Sequence, residues 1–195
     1  NSSLGPYEKF ICDFFGYDKV LPVNSGVEAV ETAIKLARKW GYQKKGIADN
    51  KARIIFVEHN FHGRTTGVIS ASTDADSRKE FGPFLPNIDV IPYNDLKALA
   101  IAVENPDVCA FIVEPIQGVN GIYEASASFL EKIQELCHQN DAIFIADEVQ
   151  CGFARSGKFF AHQFANVQPD IITIAKGMGN GFPVGGVLIN EKIQA

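Results

Sequence analysis

The sequence lacks the long apolar runs, the basic stripes and the paired cysteines that mark several large classes of protein. No apolar run approaches the roughly 20 residues that a helix needs to cross a bilayer, so we expect no membrane protein. The net charge is −5 with acidic and basic residues interspersed, which argues against nucleic-acid binding because such proteins normally carry a concentrated basic surface. The first residues show neither the charged nor the apolar region of a signal peptide.

The cysteines are few and far apart. None of them forms a C-x-x-C pair, so the spacing predicts neither a zinc site nor a redox motif. Free thiols are typical of reducing compartments. We therefore interpret all four as reduced thiols of a cytoplasmic protein: Cys12, Cys109, Cys137 and Cys151.

Short β-branched runs alternate with longer amphipathic stretches along most of the chain. This alternation predicts an α/β fold with a mostly parallel sheet covered by helices on both faces, and the continuously apolar runs fit strands that are buried on both sides. We see no linker and no internal repeat, and we expect a single domain over 1–195. The predicted strands are 53–57, 88–91, 109–113, 142–146, 171–175 and 184–189, and the predicted helices run over 25–40, 94–103 and 128–138.

Capping and turn signals set the boundaries of these elements. Ser25 is predicted to cap the first helix, with Glu28 completing a capping box, and Asn94 and Ser128 are predicted to begin the other two helices. The remaining segments are predicted as a helical or mixed stretch at 64–72, one long loop at 74–87 and a turn at 105–107.

Polar residues follow four of the predicted strands. In open α/β sheets, ligands bind outside the carboxyl ends of the strands. One charged residue at such an end carries little information, but four at the same edge predict a functional site. These four are Arg64, Glu114, Asp147 and Lys176.

Lys176 ends a fully apolar strand and allows two interpretations. The plain one is a lysine whose stem packs at the strand end while its amine reaches solvent. The functional one is a partly desolvated amine that forms imines with carbonyl compounds. The glycines at 177, 179 and 181 favour the second, because they permit tight turns and close approach of a ligand. They do not form the G-x-G-x-x-G fingerprint of a dinucleotide site.

Asp147 and its neighbour Glu148 also allow more than one interpretation. An isolated Asp-Glu pair at a strand end is usually a cap or a turn. A buried carboxylate could instead keep a pyridine nitrogen protonated, so that the ring accepts electrons. Metal binding is disfavoured because only scattered histidines accompany these acids.

Three further features at this edge could contact a cofactor. Asn24-Ser25-Gly26-Val27 is at least a capped helix start, and a helix N-terminus can also hold a phosphate through its backbone N–H groups. Phe61 and Val149 are apolar residues in polar segments, and they either pack in the core or clamp the two faces of a planar ring.

Taken together, these segments resemble the class III (subgroup II) aminotransferases that depend on pyridoxal 5′-phosphate (PLP), with the strongest likeness to ornithine and N-acetyl- or N-succinylornithine aminotransferases. The likeness covers nearly the whole chain. The segments that carry it are 24–29 (NSGVEA), 61–65 (FHGRT), 81–84 (FGPF), 114–118 (EPIQG), 145–150 (IADEVQ) and the strand that leads from Pro169 into Lys176.

The resemblance implies a role for each residue. Lys176 binds PLP as a Schiff base and shuttles a proton, and Asp147 pairs with the pyridine nitrogen. Gln150 binds the phenolic oxygen, Phe61 and Val149 cover the two faces of the ring, and Ser25, Gly26 and Val27 hold the phosphate. Arg64 takes a substrate carboxylate, and Glu114 in the pocket wall supports Arg64 or Gln150.

The resemblance also implies the reaction and the assembly. The fold is the large domain of PLP-transferase fold type I, here expected to be a fragment without the N-terminal segment and the C-terminal small domain, and expected to bind PLP weakly or not at all on its own. The terminal amine of ornithine passes to 2-oxoglutarate in a homodimer of the full-length protein, in the cytoplasm or, in a eukaryote, the mitochondrial matrix. A glutamate that many relatives carry is Val119 here, which raises N-acetylornithine or N-succinylornithine as an alternative donor. A non-catalytic α/β module that keeps the fold is the second alternative.

Overall fold

A seven-stranded sheet organises residues 2–193, which are the residues that the computed structural model describes. The strand order is β1-β9-β8-β7-β4-β2-β3, and the five strands from β3 to β8 along this order are parallel, while β9 runs antiparallel to both of its neighbours. The strands are β1 (Lys19–Val23), β2 (Arg53–Val57), β3 (Ile88–Ile91), β4 (Val108–Val113), β5 (Ile116–Gln117), β6 (Tyr123–Glu124), β7 (Ile143–Asp147), β8 (Ile171–Ala175) and β9 (Gly185–Ile189), of which β5 and β6 form a separate hairpin.

Helices cover both faces of this sheet, as predicted. α2 packs on one face and α4 and α5 pack on the other. Side chains along a strand alternate between these layers, so in β2 Ile54 and Phe56 join the α2 side and Ile55 and Val57 join the opposite side. The helices are α1 (Leu4–Phe15), α2 (Gly26–Trp40), α3 (Ala75–Arg78), α4 (Leu96–Val103) and α5 (Ala127–Gln139), with a π-helical turn at Gly41–Lys45.

Two predicted helix starts are wrong by one or two residues. Asp95, and not Asn94, caps α4, because its carboxylate accepts hydrogen bonds from the N–H groups of Lys97 and Ala98 at 2.9 Å. Asn94 has a left-handed backbone (φ 64°) and its side chain bonds the chain near α5 instead. Ser126, and not Ser128, caps α5 by accepting from the N–H of Phe129.

Other differences concern short elements. The predicted loop at 74–87 contains α3, and the mixed segment at 64–72 contains a 3-10 turn at Val68–Ala71. The strand predicted at 142–146 lies one residue later, so Asp147 is its last residue. Three further elements were not predicted from the sequence: α1, β1 and the β5–β6 hairpin.

The helices that the structure describes are all too short or too polar to cross a membrane. All four cysteines are free thiols. Burial raises the pKa of the Cys109 and Cys137 thiols to about 12, so both stay protonated at neutral pH.

Candidate active site

The carboxyl ends of β2, β4, β7 and β8 surround a cavity of about 300 Å³ that the start of α2 closes on one side. The sheet register brings the ends of these parallel strands to one edge, as the sequence predicts. All of the predicted site residues except Arg64 line this cavity: Ser25, Gly26, Val27, Phe61, Glu114, Asp147, Val149, Gln150 and Lys176.

Lys176 follows the last residue of β8 and is exposed to the cavity. Its backbone lies in the left-handed region (φ 47°), which is unfavourable for a residue with a side chain. Its Nζ donates a hydrogen bond to Oε1 of Gln150. The amine is therefore directed into the cavity at a strand end where the backbone is strained.

Asp147 ends β7 and its side chain is only 3% exposed. Oδ2 accepts from Nδ1 of His62 at 2.6 Å, and Oδ1 accepts from Oγ1 of Thr173 at 2.8 Å and from the N–H of Val149 at 3.1 Å. Thr173 lies directly opposite Asp147 in the β7–β8 register. Three donors thus fix the orientation of this carboxylate.

His62 and Thr173 also belong to the site, although the sequence did not predict them. Burial alone would lower the pKa of His62, but its hydrogen bond to Asp147 and the charges of Asp147 and Glu114 raise that pKa above its ordinary value. Its other nitrogen, Nε2, is buried without a hydrogen-bond partner among residues 2–193. A polar residue in the middle of the apolar strand 171–175 was the signal for Thr173.

Glu114 follows β4 and is 3% exposed. Burial raises the pKa of its carboxyl to about 7, aided by the charge of Asp147 and opposed by the charges of His62 and Lys176. Its Oε2 accepts from the backbone N–H of Phe61 at 2.9 Å. The structure therefore differs from the expectation that Glu114 supports Arg64 or Gln150, because Glu114 holds the chain at Phe61.

The start of α2 presents free backbone amides to the cavity. Ser25 caps the helix by accepting from the N–H of Glu28 at 3.3 Å, and the Glu28 carboxylate reaches back to the N–H of Asn24 at 2.6 Å, one residue before the capping residue. The first N–H groups of a helix have no partner within it, so those of Gly26 and Val27 remain available for an acceptor. A Cβ at Gly26 would lie 2.5 Å from Cγ1 of Val149, which explains why this position is glycine.

Arg64 and Glu148 lie away from the cavity lining. Arg64 is exposed, and its guanidinium has no hydrogen-bond or ion-pair partner among residues 2–193. Glu148 is fully buried on the other side of β7, where it accepts from the thiol of Cys151, the N–H of Ala161, and the N–H and Nδ1 of His162. Of the Asp147–Glu148 pair, only Asp147 contributes to the cavity.

Val119 lies in the turn of the β5–β6 hairpin and is 64% exposed. Its neighbour Gly118 packs against the site, since a Cβ there would lie 2.6 Å from Cγ of Gln150. The hairpin is therefore held beside Gln150, while Val119 is not among the residues that line the cavity.

The protein has an α/β fold with one cavity at the carboxyl edge of its sheet. The cavity holds the amine of Lys176, the buried carboxylate of Asp147 with its three hydrogen bonds, and a helix N-terminus suited to an anion. The chain matches the family described as Aminotransferase class-III over residues 1–195 and belongs to that family. The family depends in general on PLP.

Individual relatives within this family include ornithine and acetylornithine aminotransferases. The chain is 50% identical over 192 residues to the mitochondrial ornithine aminotransferase of Drosophila ananassae, which covers 98% of this chain and 44% of that protein. It superimposes on the ornithine aminotransferase of Toxoplasma gondii with a TM-score of 0.95 and 39% identity, over 97% of this chain and 45% of that one. For the acetylornithine aminotransferase of Elizabethkingia anophelis the TM-score is 0.83 and the identity 44%, over 99% of this chain and 45% of that one. The chain thus spans less than half the length of these relatives.

Proposed function

We propose that the whole protein transfers the terminal amine of ornithine to 2-oxoglutarate with PLP as cofactor, giving glutamate semialdehyde and glutamate. The observation that carries the proposal is the arrangement of the Lys176 amine and the fixed Asp147 carboxylate in one cavity. The 50% identity to a mitochondrial ornithine aminotransferase over nearly the whole chain supports the choice of substrate.

The residues of the cavity fit PLP. The free amides of Gly26 and Val27 suit its phosphate, and the absence of a side chain at Gly26 leaves room beside Val149. Phe61 and Val149 are apolar surfaces for the two faces of a ring, and Gln150 offers an amide to the phenolic oxygen. A structure of the Toxoplasma gondii ornithine aminotransferase has PLP at partial occupancy in its active site.

PLP, when bound, supplies an aldehyde carbon and a ring that accepts electrons. Lys176 would hold PLP through its amine, and the same Nζ would be the group placed to move a proton during the reaction. Asp147 holds a proton on the ring nitrogen, because His62 and Thr173 fix its carboxylate and burial shields it from water. Glu114 fixes the Phe61 backbone, and through it the position of the Phe61 phenyl ring that would cover the cofactor.

Arg64 is our candidate for the substrate carboxylate. Its guanidinium is exposed and unpaired among the described residues, and it lies three positions beyond Phe61. A planar guanidinium binds a carboxylate through two parallel hydrogen bonds.

An N-acylornithine donor is the alternative that specific observations favour. Val119 has no carboxylate, and the acetylornithine aminotransferase of Elizabethkingia anophelis is also 44% identical over nearly the whole chain. We further propose a homodimer, and a cytoplasmic location with the mitochondrial matrix as the alternative, since the Drosophila ananassae relative is mitochondrial.

The cofactor assignment is tested with the full-length protein. We expect the protein to shift the absorption of PLP to longer wavelength than that of free PLP, and we expect Lys176→Ala to abolish both that shifted absorption and turnover. Lys97→Ala, at an exposed lysine on α4, is the matched control and should retain both. Unchanged absorption in Lys176→Ala would refute the role of this lysine, and a non-catalytic module would show no turnover in any variant.

The donor is identified by comparing kcat/KM for ornithine, N-acetylornithine, N-succinylornithine and 4-aminobutyrate, each with 2-oxoglutarate. The proposal requires ornithine to have the highest value. A higher kcat/KM for an acylated donor would mean that the substrate is an N-acylornithine. In that case we would expect Val119→Glu to raise kcat/KM for ornithine relative to that for the acylated donor.

A further inference from the structure

The loop 58–67, which joins β2 to the next helical turn, is anchored in two separate halves. The first half is held from the core side. The side-chain amide of Asn60 donates to the carbonyls of Val57 and Ala71 at 2.7 and 2.9 Å. Beyond it, the Phe61 N–H is held by Glu114, and His62 is held by Asp147. Val57, Glu114 and Asp147 lie at the carboxyl ends of sheet strands, and Ala71 ends the 3-10 turn.

The second half is held by α2 and by the 3-10 turn that follows the loop, because the Thr65 carbonyl accepts from the Ile69 N–H at 3.1 Å and the Thr66 carbonyl accepts from Oγ of Ser70 at 2.8 Å. Gly63 has φ 127°, and a Cβ there would lie 2.5 Å from Cγ2 of Val27. One turn further along α2, the half-buried Glu31 accepts a hydrogen bond from Oγ1 of Thr65. Gly67 lies under the same carboxylate so closely that a Cβ would overlap it. Val27 and Glu31 are four residues apart and therefore share one face of the helix.

Arg64 lies between these two contacts. Its side chain is exposed, and its direction depends on where the backbone of 63–65 is held. The left-handed φ of Gly63 allows the chain to leave the buried His62 and turn onto α2. The Thr65–Glu31 hydrogen bond is then the polar contact that ties the chain directly after Arg64 to α2, while the Thr65 carbonyl bonds the Ile69 N–H of the following turn.

We propose that Glu31 is a positioning residue for substrate binding, which holds Arg64 in place through Thr65. The inference rests on the proposed role of Arg64 toward a substrate carboxylate. Because the two halves of the loop have different anchors, loss of the Glu31 contact detaches Thr65 from α2 without releasing Phe61 or His62, and leaves the bonds from the 3-10 turn to the carbonyls of 65 and 66 in place. Substrate affinity and cofactor binding should therefore respond separately to the same substitution.

The test uses the full-length protein with PLP and measures KM for 2-oxoglutarate, kcat and the visible absorption. We expect Glu31→Ala and Thr65→Val each to raise KM about fivefold, equivalent to about 1 kcal/mol and typical of one hydrogen bond. The absorption should not change. The double variant should be no worse than Thr65→Val, because both changes remove the Glu31–Thr65 contact and Thr65→Val also removes the acceptor of the Val68 N–H at 3.5 Å.

Three further variants separate positioning from general damage. Glu31→Gln keeps an acceptor for Thr65 and should stay within twofold of the native KM. Gly67→Ala leaves both partners in place but displaces the carboxylate, and since Gly67 has an ordinary helical backbone (φ −65°) it should raise KM without strain. Thr66→Val, at an exposed neighbouring threonine whose hydroxyl makes no hydrogen bond in the part of the chain that the structure describes, is the matched control for Thr65→Val.

The outcomes distinguish the inference from the proposed function. If Arg64→Ala raises KM while Glu31→Ala and Thr65→Val do not, Glu31 has no positioning role. Additive effects of Glu31→Ala and Thr65→Val would overturn the inference, because they would mean that the two side chains act independently. An equal loss in Glu31→Gln would also overturn it, because it would point to the charge of Glu31 and not to the hydrogen bond. An unchanged KM in Arg64→Ala would overturn the substrate role of Arg64 and the inference with it.

Discussion

Replacing Glu114 by Gln should change how the stability of the protein depends on pH. The pKa of Glu114 rises from 4.5 to about 7, chiefly because the carboxyl is buried. Below pH 4.5 the carboxyl is protonated in both the folded and the unfolded protein and burial carries no ionisation penalty. As pH rises from 4.5 to 7, the unfolded state releases this proton and the folded state keeps it, so the free energy of unfolding falls.

The size of the effect follows from the same values. At about 1.4 kcal/mol for each pH unit, the rise in pKa costs about 3 kcal/mol once the pH exceeds 7. Gln has no proton to lose, and its amide oxygen can still accept from the Phe61 N–H. We therefore expect Glu114→Gln to gain about 2.5 kcal/mol of stability relative to the native protein between pH 5 and pH 8.

The assay is urea unfolding of both proteins at pH 5 and pH 8, without added cofactor, followed by circular dichroism. Glu131→Gln on α5 removes an exposed carboxylate and controls for the change in net charge. Parallel stability curves for Glu114→Gln and the native protein would refute the reasoning, because they would mean that burial does not hold the proton on Glu114.

Three other substitutions test the packing around Asp147 and its neighbours. Thr173→Val removes a buried donor to Asp147 and should lower the free energy of unfolding by about 2 kcal/mol, whereas Thr173→Ser keeps the hydroxyl and should lose less. Equal losses of the two variants in urea unfolding would contradict a role for the hydroxyl. Gly26→Ala should cost about 1 to 3 kcal/mol in thermal unfolding because its Cβ meets Val149, and Val149→Ala should recover part of that loss, so additive losses would exclude the clash. Glu148→Gln replaces an acceptor of four hydrogen bonds with a group that has one acceptor oxygen, so the free energy of unfolding should fall by about 2 kcal/mol or more in urea. An unchanged unfolding midpoint would mean that these donors find other partners.

The parallel core of the sheet was predictable because each buried strand is a continuous apolar run, and the cavity followed from the residues at the ends of those strands. β1 was missed because Pro22 is typical of edge positions and weakens the signal, and β1 is indeed an edge strand. The cap of α4 was misplaced because Asn94 and Asp95 are adjacent and both suit a helix start.

The site was less predictable where it depends on contacts between distant residues. The role of Glu114 depends on which backbone group lies within its reach, and the sequence does not report that the group is the N–H of Phe61, 53 positions away. The pairing of His62 with Asp147 spans 85 positions. Residue type and strand position were enough to predict which edge of the sheet holds the cavity and most of the side chains that line it. The hydrogen-bond partner of each polar atom could be read only from the tertiary structure.

The left-handed backbone of Lys176 has a consequence for any attempt to engineer this protein. Asparagine and glycine adopt that conformation at less cost than lysine, by about 1 kcal/mol, so either substitution should make the folded chain more stable. A library screened only for thermal stability would therefore tend to discard this amine, and would be enriched in well-folded proteins that lack the reactive group. Stabilised variants should be selected with Lys176 held fixed.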